Sequence, residues 1–238
     1  MIITVVGAGR AGSSFALAMG RVGHQVRLIH HEELDLLGQP DLVLLAVPDD
    51  AIRSVAKDIA PSESYVVAHV AGSRGLSELG AHRRVGLMHP LAALPTAEIG
   101  AERLMGALYS VSGEELIDEV VASLSGRAIR LSDEQRVAYH ATASVAANHL
   151  VALMGHVQVL AESAGLSLED FLSLSQQALA DVELLGVGRA LTGPASRADM
   201  ATIDAHLAAI PSSQRSTYVA MANAAFELAE QRRLASYA

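Results

Sequence analysis

The chain has 238 residues, a formal charge of −9, no cysteine, 51% hydrophobic residues and 18% charged ones. This is the composition of a globular chain, and its acidity argues against nucleic acid or an anionic membrane as the main partner. The lack of cysteine excludes disulfides, thiolate catalysis and cysteine-ligated metal, and fits the cytoplasm, which is the expected location.

A core strand begins at the N-terminus, so no signal peptide is expected. No apolar run approaches the roughly 18 residues of a membrane span, and no membrane partner is expected. That strand, Ile2 to Val6, is β-branched at every position, the composition of a strand buried on both faces. Gly7-Ala8-Gly9-Arg10-Ala11-Gly12 follows with the spacing G-x-G-x-x-G and opens an apolar helical run. The first glycine permits a tight turn, the second lets a pyrophosphate approach the backbone, and the third lets helix and strand pack closely. The free N–H groups of the helix then face the phosphates. Gly7, Gly9, Arg10, Ala11 and Gly12 are the candidate cofactor-binding residues here.

A second strand, 25–29, ends in His30-His31-Glu32-Glu33. Glu32 stands where an acid holds the ribose hydroxyls of NAD, whereas Arg10 suits the 2′-phosphate of NADP; the choice stays open. The next crossover is too short for a full helix, and an abbreviated one is expected around Leu34 to Leu37. A continuously apolar strand over 41–48 stops at Pro48, and Asp49-Asp50 are expected to cap a helix over 51–59. Further strands are expected at 65–70, 85–88 and 108–111, and a helix at 114–124. The alternation predicts an α/β, Rossmann-like, doubly wound parallel sheet over 1–131, with its ligand crevice at the carboxyl ends of the strands. Gly7 to Gly12, Val47-Pro48-Asp49, Ala71-Gly72 and His89-Pro90 all fall at such ends.

From residue 132 the pattern becomes all-helical and defines a second domain, 132–238. Asp133 to Ala164 contains no proline and one glycine, Gly155. Ser132 or Asp133 can cap this helix and Gly165 can end it. Helices follow over 167–186, 197–209 and 212–235.

Three stretches, GAGRAGSS, DLVLLAVPDDAI and YHATASVAANHLVAL, together with ALTGPASRAD, resemble a bacterial family of predicted NAD(P)-dependent oxidoreductases. In that family a Rossmann-like domain precedes a helical domain of unknown function. The plan is more widely similar to pyrroline-carboxylate reductase, prephenate dehydrogenase, ketopantoate reductase and deazaflavin-dependent NADP oxidoreductase. The resemblance implies a nicotinamide near Val47-Pro48 and Ala71-Gly72, facing the helical domain. This sequence lacks the basic residue common after the second strand, and it has no counterpart of the lysine that ketopantoate reductases use as acid. Its one lysine, Lys57, falls on a first-domain helix, where a solvated face is expected.

Hydride transfer needs a proton donor and groups that polarise the accepting atom. His140, Ser144 and Asn148 are spaced i, i+4, i+8, which puts them on one face of an uninterrupted α-helix. His140 is the candidate proton donor, Asn148 the polarising amide and Ser144 an orienting or relaying hydroxyl; the alternative is a set of helix–helix hydrogen bonds. His149 points elsewhere and reads as structural. His89 and Arg197 are candidate substrate residues, Arg197 as a carboxylate clamp or as half of a turn-fixing pair with Asp199. No H-x-x-x-H pair or histidine–carboxylate cluster stands out, so no metal is expected. The expected function is hydride transfer, with NAD(P) as cofactor, to or from a small, anionic oxo or imino compound. The alternative is a dinucleotide-binding sensor or interaction module without turnover. Leu150, Val151, Leu153, Met154, Val157 and Leu160 make the long helix apolar nearly all round, so a homodimer joined through the helical domains is expected.

Overall fold

The structure is a computed structural model and describes residues 1–235. Its contacts divide the chain into two compact units, Met1–Ala147 and Asn148–Ala238.

The first unit is built on seven strands in the order β2-β1-β3-β4-β5-β6-β7. They are β1 (Ile2–Val6), β2 (Gln25–Ile29), β3 (Leu42–Leu45), β4 (Val66–His69), β5 (Val85–Pro90), β6 (Leu108–Gly113) and β7 (Arg127–Arg130). The first five run parallel. β1 to β5 therefore form the expected sheet, and the reversal of strand order between β1 and β3 is the switch point at which such sheets bind ligands. Leu42 to Leu45 and Val66 to His69 are buried at every position, as central parallel strands must be.

The expected parallel sheet carries one antiparallel pairing, at β6, which pairs with β5 and sets His89 opposite Ser110 and Pro90 opposite Tyr109. β7 then pairs parallel with β6. β5 runs on through His89-Pro90, beyond the expected end at Met88. Around the sheet lie α1 (Arg10–Arg21), α2 (Ile52–Asp58), α3 (Ala97–Leu104) and α4 (Leu116–Ser123), and a single 3-10 turn, Leu34–Leu36, fills the short crossover. One buried cluster joins Ile3, Val5, Phe15, Leu42, Leu44 and Tyr109 on one side of the sheet, and another joins Val6, Val43, Leu45, Ile52 and Val67 on the other.

The long helix starts at α5 (Asp133–Ser144), where Ser132 and Gln135 form a reciprocal capping box: the Ser132 hydroxyl accepts from Gln135 N–H, and Gln135 Oε1 accepts from Ser132 N–H. Composition changes at residue 132, yet the contacts divide only after Ala147, because α5 is anchored to the sheet through the buried Arg136. Val145–His149 is a π-helical segment, and α6 (Leu150–Ser163) continues from it. At the far end Gly165 has φ +76°, Gly165 N–H donates to Glu162 O and Leu166 N–H donates to Ala161 O, the glycine-ended closure expected there.

The second unit adds α7 (Glu169–Leu185), α8 (Val187–Ala190), α9 (Gly193–Ser196), α10 (Met200–Ala209) and α11 (Arg215–Ala235). Among its described residues only Ala161, Ala195 and Ile203 are buried apolar side chains, while Val151, Leu174 and Leu184 are 72%, 63% and 77% exposed. The expectation that no segment is long and apolar enough to span a membrane is also corrected. The helical stretch Asp133–Ser163 has 31 residues and contains an 18-residue window of mean hydropathy 1.3, none of it buried. Separate Ser, Thr, Asn and His residues hide this in a search for unbroken apolar runs.

Candidate active site at the strand ends

The glycine loop has the geometry its spacing predicts. Gly7 has φ +110°, and a Cβ there would sit 2.5 Å from Ala46 O; one on Gly12 would overlap Gly7 O. These two glycines are required by the protein's own packing, since β1, β3 and α1 cannot otherwise meet so closely. Gly9 differs: its backbone is extended, and a Cβ there would find no atom within 4 Å. Nothing in the fold demands glycine at position 9, whereas a ligand lying on the loop would. Gly9 is the residue before the first turn of α1 and Arg10 beside it is exposed, so the unpaired N–H groups of that turn open outward. Glu32 is exposed and lies 3.2 Å from His31, while Glu33 accepts from the His30 N–H. Neither observation chooses between NAD and NADP.

Beside the loop a cleft of about 240 Å³ is lined by Ala11 and Phe15, then by Val47, Ala71 and Gly72, and by His89 and His140. Four strand ends and α5 thus converge, as the crevice rule requires. Pro48 is exposed at the rim and outside the lining. Asp49 belongs to the lining. It does not cap α2 as expected: the residue before that helix is Ala51, with no side-chain cap, and Asp49 Oδ2 instead accepts from the Ser73 hydroxyl at 3.0 Å. That bond ties the loops after β3 and β4 together across the crevice.

His89 and His140 meet over Gly72. A Cβ on Gly72 would lie 2.5 Å from His140 Nδ1 and 2.7 Å from His89 Nε2, so glycine is what lets both rings in. Their centroids are 5.7 Å apart, and the Tyr139 ring meets His89 edge-on at the same separation. His89 Nδ1, His140 Nδ1 and the Tyr139 hydroxyl are buried with no hydrogen-bond partner among the described residues. Burial, then the neighbouring His140, push the His89 imidazole down to about 4, with Asp49 opposing. Burial likewise raises Tyr139. His69 is a different case. Its Nδ1 accepts from Ala71 N–H, so Nε2 carries the proton and donates to Gly75 O at 3.1 Å. It is a neutral loop-ordering residue, held below its ordinary value chiefly by burial.

Arg136, which the sequence reading passed over, is 2% exposed. Its guanidinium donates to Ser110 Oγ at 3.1 Å and to Ser112 Oγ at 2.9 Å, and Asp133 stands 3.7 Å from Nε. Ser110 and Ser112 are two apart on β6 and so share a face. The available signal was the i, i+4 spacing itself, which runs back from His140 to Arg136. Arg136 and Tyr139 are thus the additions to the sequence-based site, while Asp49, expected at a strand end, joins the lining.

The expected polar stripe is corrected in its premise. The 3.6-residue period stops at Ser144, because 145–149 is π-helical, so the expected uninterrupted α-helix ends there. His140 reaches the cleft; Ser144 and Asn148 do not line it, and Asn148 is exposed. Arg197 is exposed in the helical unit, where it lines a cleft of about 460 Å³ with Phe226 and Arg232. Asp199, for its part, caps α10 through Thr202 N–H and the Thr202 hydroxyl.

Residues 109–225 match the family described as "Domain of unknown function (DUF2520)". That match begins in β6 and overlaps the helical stretch expected from residue 132. Over most of its length the chain has the fold of the Bacteroides fragilis protein BF3122, provisionally named an NADP oxidoreductase. The TM-score is 0.79 at 20% identity, over 95% of this chain and 98% of that one. It also has the fold of a Plasmodium falciparum pyrroline carboxylate reductase with NADP bound, at TM-score 0.62 and 14% identity over 98% of each chain. An Aspergillus terreus reductive aminase, in complex with NADPH and ethyl levulinate, matches at TM-score 0.67 and 17% identity over 99% and 98%. In sequence, a Geobacillus kaustophilus glycerol-3-phosphate dehydrogenase [NAD(P)+] is 33% identical over 36% of this chain; the match spans about a third, 34%, of the length of that enzyme.

The histidine environment generates a pH prediction. His89 binds its proton near 4 when folded and near 6.5 when unfolded. Between those values the unfolded chain takes up the extra proton, so stability falls as pH falls, and the contribution is intact above 6.5. Unfolding by urea should show wild type losing roughly 2–3 kcal/mol more than His89→Gln between pH 7 and pH 4. Parallel pH profiles for the two proteins would contradict the assignment of a buried, neutral His89.

Proposed function

We propose that the chain is an NAD(P)-dependent oxidoreductase that transfers hydride to or from a small oxo or imino compound. The observation that carries this reading is the contrast within the glycine loop. Gly7 and Gly12 answer to contacts inside the protein, and Gly9 answers to none. A pyrophosphate lying over Gly9 accounts for the third glycine, and the N–H groups at the start of α1 are the donors it needs. Val47, Ala71 and Gly72 line the cleft on the side to which a nicotinamide would extend. The cofactor, when bound, supplies or accepts the hydride.

The NADP and NADPH complexes among proteins of this fold support the reading, as does the partial match to an NAD(P)-dependent dehydrogenase. Arg10 and Glu32 keep both forms of the cofactor in the proposal. The charged side chain lining the cleft is that of Asp49, and Arg197 lines a different cleft. The anionic character expected of the substrate therefore forms no part of the proposal. His140 keeps the role of proton donor, now beside His89; Ser144 and Asn148 have none.

The experiment is cofactor binding by fluorescence titration with NADH and NADPH. Gly9→Val should weaken binding at least tenfold with an unchanged melting temperature, because its side chain meets no protein atom but stands where the phosphates lie. Equal affinity in wild type and Gly9→Val contradicts the reading.

We also propose a homodimer in which a second copy covers the exposed apolar faces of the helical unit. A helix of 31 residues carrying an 18-residue apolar window with none of it buried needs a cover, and leaving side chains such as Val151 and Leu184 in water forgoes about 1.5–3 kcal/mol each. Light scattering at micromolar concentration should give twice the chain mass of 24.9 kDa. A monomer without detergent, or partition into neutral lipid vesicles, counts against the dimer; the second result would give the helix a bilayer as its cover.

A further inference from the structure

Resting on the proposed hydride transfer, we infer that His89 and His140 are one proton-holding unit, a pair that closes over Gly72 and presents a single exchangeable proton to the reacting atom in the cleft. Four observations bear on this. Both rings line the same cleft. His89 Nε2 and His140 Nδ1 lie 2.7 and 2.5 Å from one point, the position of a Cβ on Gly72, so the two nitrogens are no further apart than the sum of those distances. Each ring has its Nδ1 buried without a partner among the described residues, unlike His69, whose two nitrogens are both engaged. Among the described residues neither ring has a carboxylate bound to it: Asp49, in the same lining, is held by Ser73.

Two imidazoles so close cannot both carry charge cheaply, since like charges at this range oppose each other and water is excluded from the buried nitrogens. The charged groups around them reinforce this. Arg136, on the same helix as His140, adds positive charge from the β6 side and lowers His89, while Asp49, from the loop after β3, raises it. His69 at the end of β4 acts weakly in the same direction as Arg136. Tyr139 contributes a ring edge and a hydroxyl kept protonated by burial. His89 is the member held neutral by burial and by its neighbour, which leaves the pair room for one proton.

The chemistry balances with the hydride supplied by the reduced nicotinamide cofactor. As a carbonyl carbon gains hydride and forms its new C–H bond, the C=O electron pair moves onto oxygen. Oxygen then takes the proton from the pair, which regains one from solvent. In the oxidative direction the pair accepts the hydroxyl proton as the C–H bond breaks. Gly72 is a positioning residue for both rings.

The test is a proton NMR titration of the full chain, with the His89 ring assigned by its loss in His89→Gln. In His140→Gln the His89 midpoint should rise by about one pH unit, because a neighbour that lowers it is gone. In Gly72→Ala, which forces the rings apart, it should rise by a smaller amount. An unmoved His89 midpoint in both variants, with circular dichroism confirming the fold, overturns the pair. Cofactor affinity is measured on the same samples. Loss of dinucleotide binding in the wild type would defeat the proposed function and leave the NMR result standing, whereas retained binding without coupling defeats the pair alone. Where turnover is found, each glutamine variant should lower kcat by about 10²–10³-fold with cofactor affinity kept within threefold. Unchanged kcat in either variant also overturns the role.

Discussion

The close approach of β1, β3 and α1 is the constraint on which the rest of the structure depends. Gly7 and Gly12 are in contact with Ala46 and with each other's backbone, and no larger residue fits between them. This approach brings the start of α1 to the carboxyl edge of the sheet at the point where strand order reverses. The crevice follows from the topology, and its apolar floor of Ala11, Phe15, Ala46 and Val47 follows from the same need for small or flat side chains. A ligand with a charged middle and a flat end suits such a place: the helix start faces the charge and the floor receives the flat end.

A second constraint comes from β6. Because it runs antiparallel to β5, it presents Ser110 and Ser112 to the guanidinium of Arg136, and the buried arginine fixes the first turns of α5. A buried cation is costly unless it is hydrogen-bonded; two serines and Asp133 share that task. With α5 so anchored, Tyr139 and His140 arrive beside His89. Polar groups that the fold leaves unpaired in a cleft are the ones available to a ligand.

Much of this was legible in the sequence, for reasons that differ between regions. Parallel core strands announce themselves because burial on both faces demands unbroken β-branched and leucine runs, as in Leu42 to Leu45. The glycine spacing is legible because Gly7 and Gly12 each answer to a separate steric demand within the fold. β7, Arg-Ala-Ile-Arg, escaped notice because an edge strand is charged and short. The direction of β6 is a property of tertiary pairing, and nothing within Leu108–Gly113 encodes it. Asp49-Asp50 before a helix reads as a cap, yet Asp49 found Ser73, a partner distant in sequence. The π segment is silent in a run of small residues such as Ala143 to Ala147, and without it the shared face of His140, Ser144 and Asn148 looked secure. His89 and His140 were each visible singly; their meeting depends on Gly72, which the sequence marks only as a glycine at a strand end.

The central claim is that the crevice holds a nicotinamide dinucleotide along its length. The most direct measurement is a crystal structure of the chain grown with NADPH or NADH. The account predicts the pyrophosphate over Gly9 at the start of α1 and the nicotinamide ring in the cleft lined by Val47, Gly72 and His89. A dinucleotide bound elsewhere, or a crevice left without one at saturating cofactor, would contradict it.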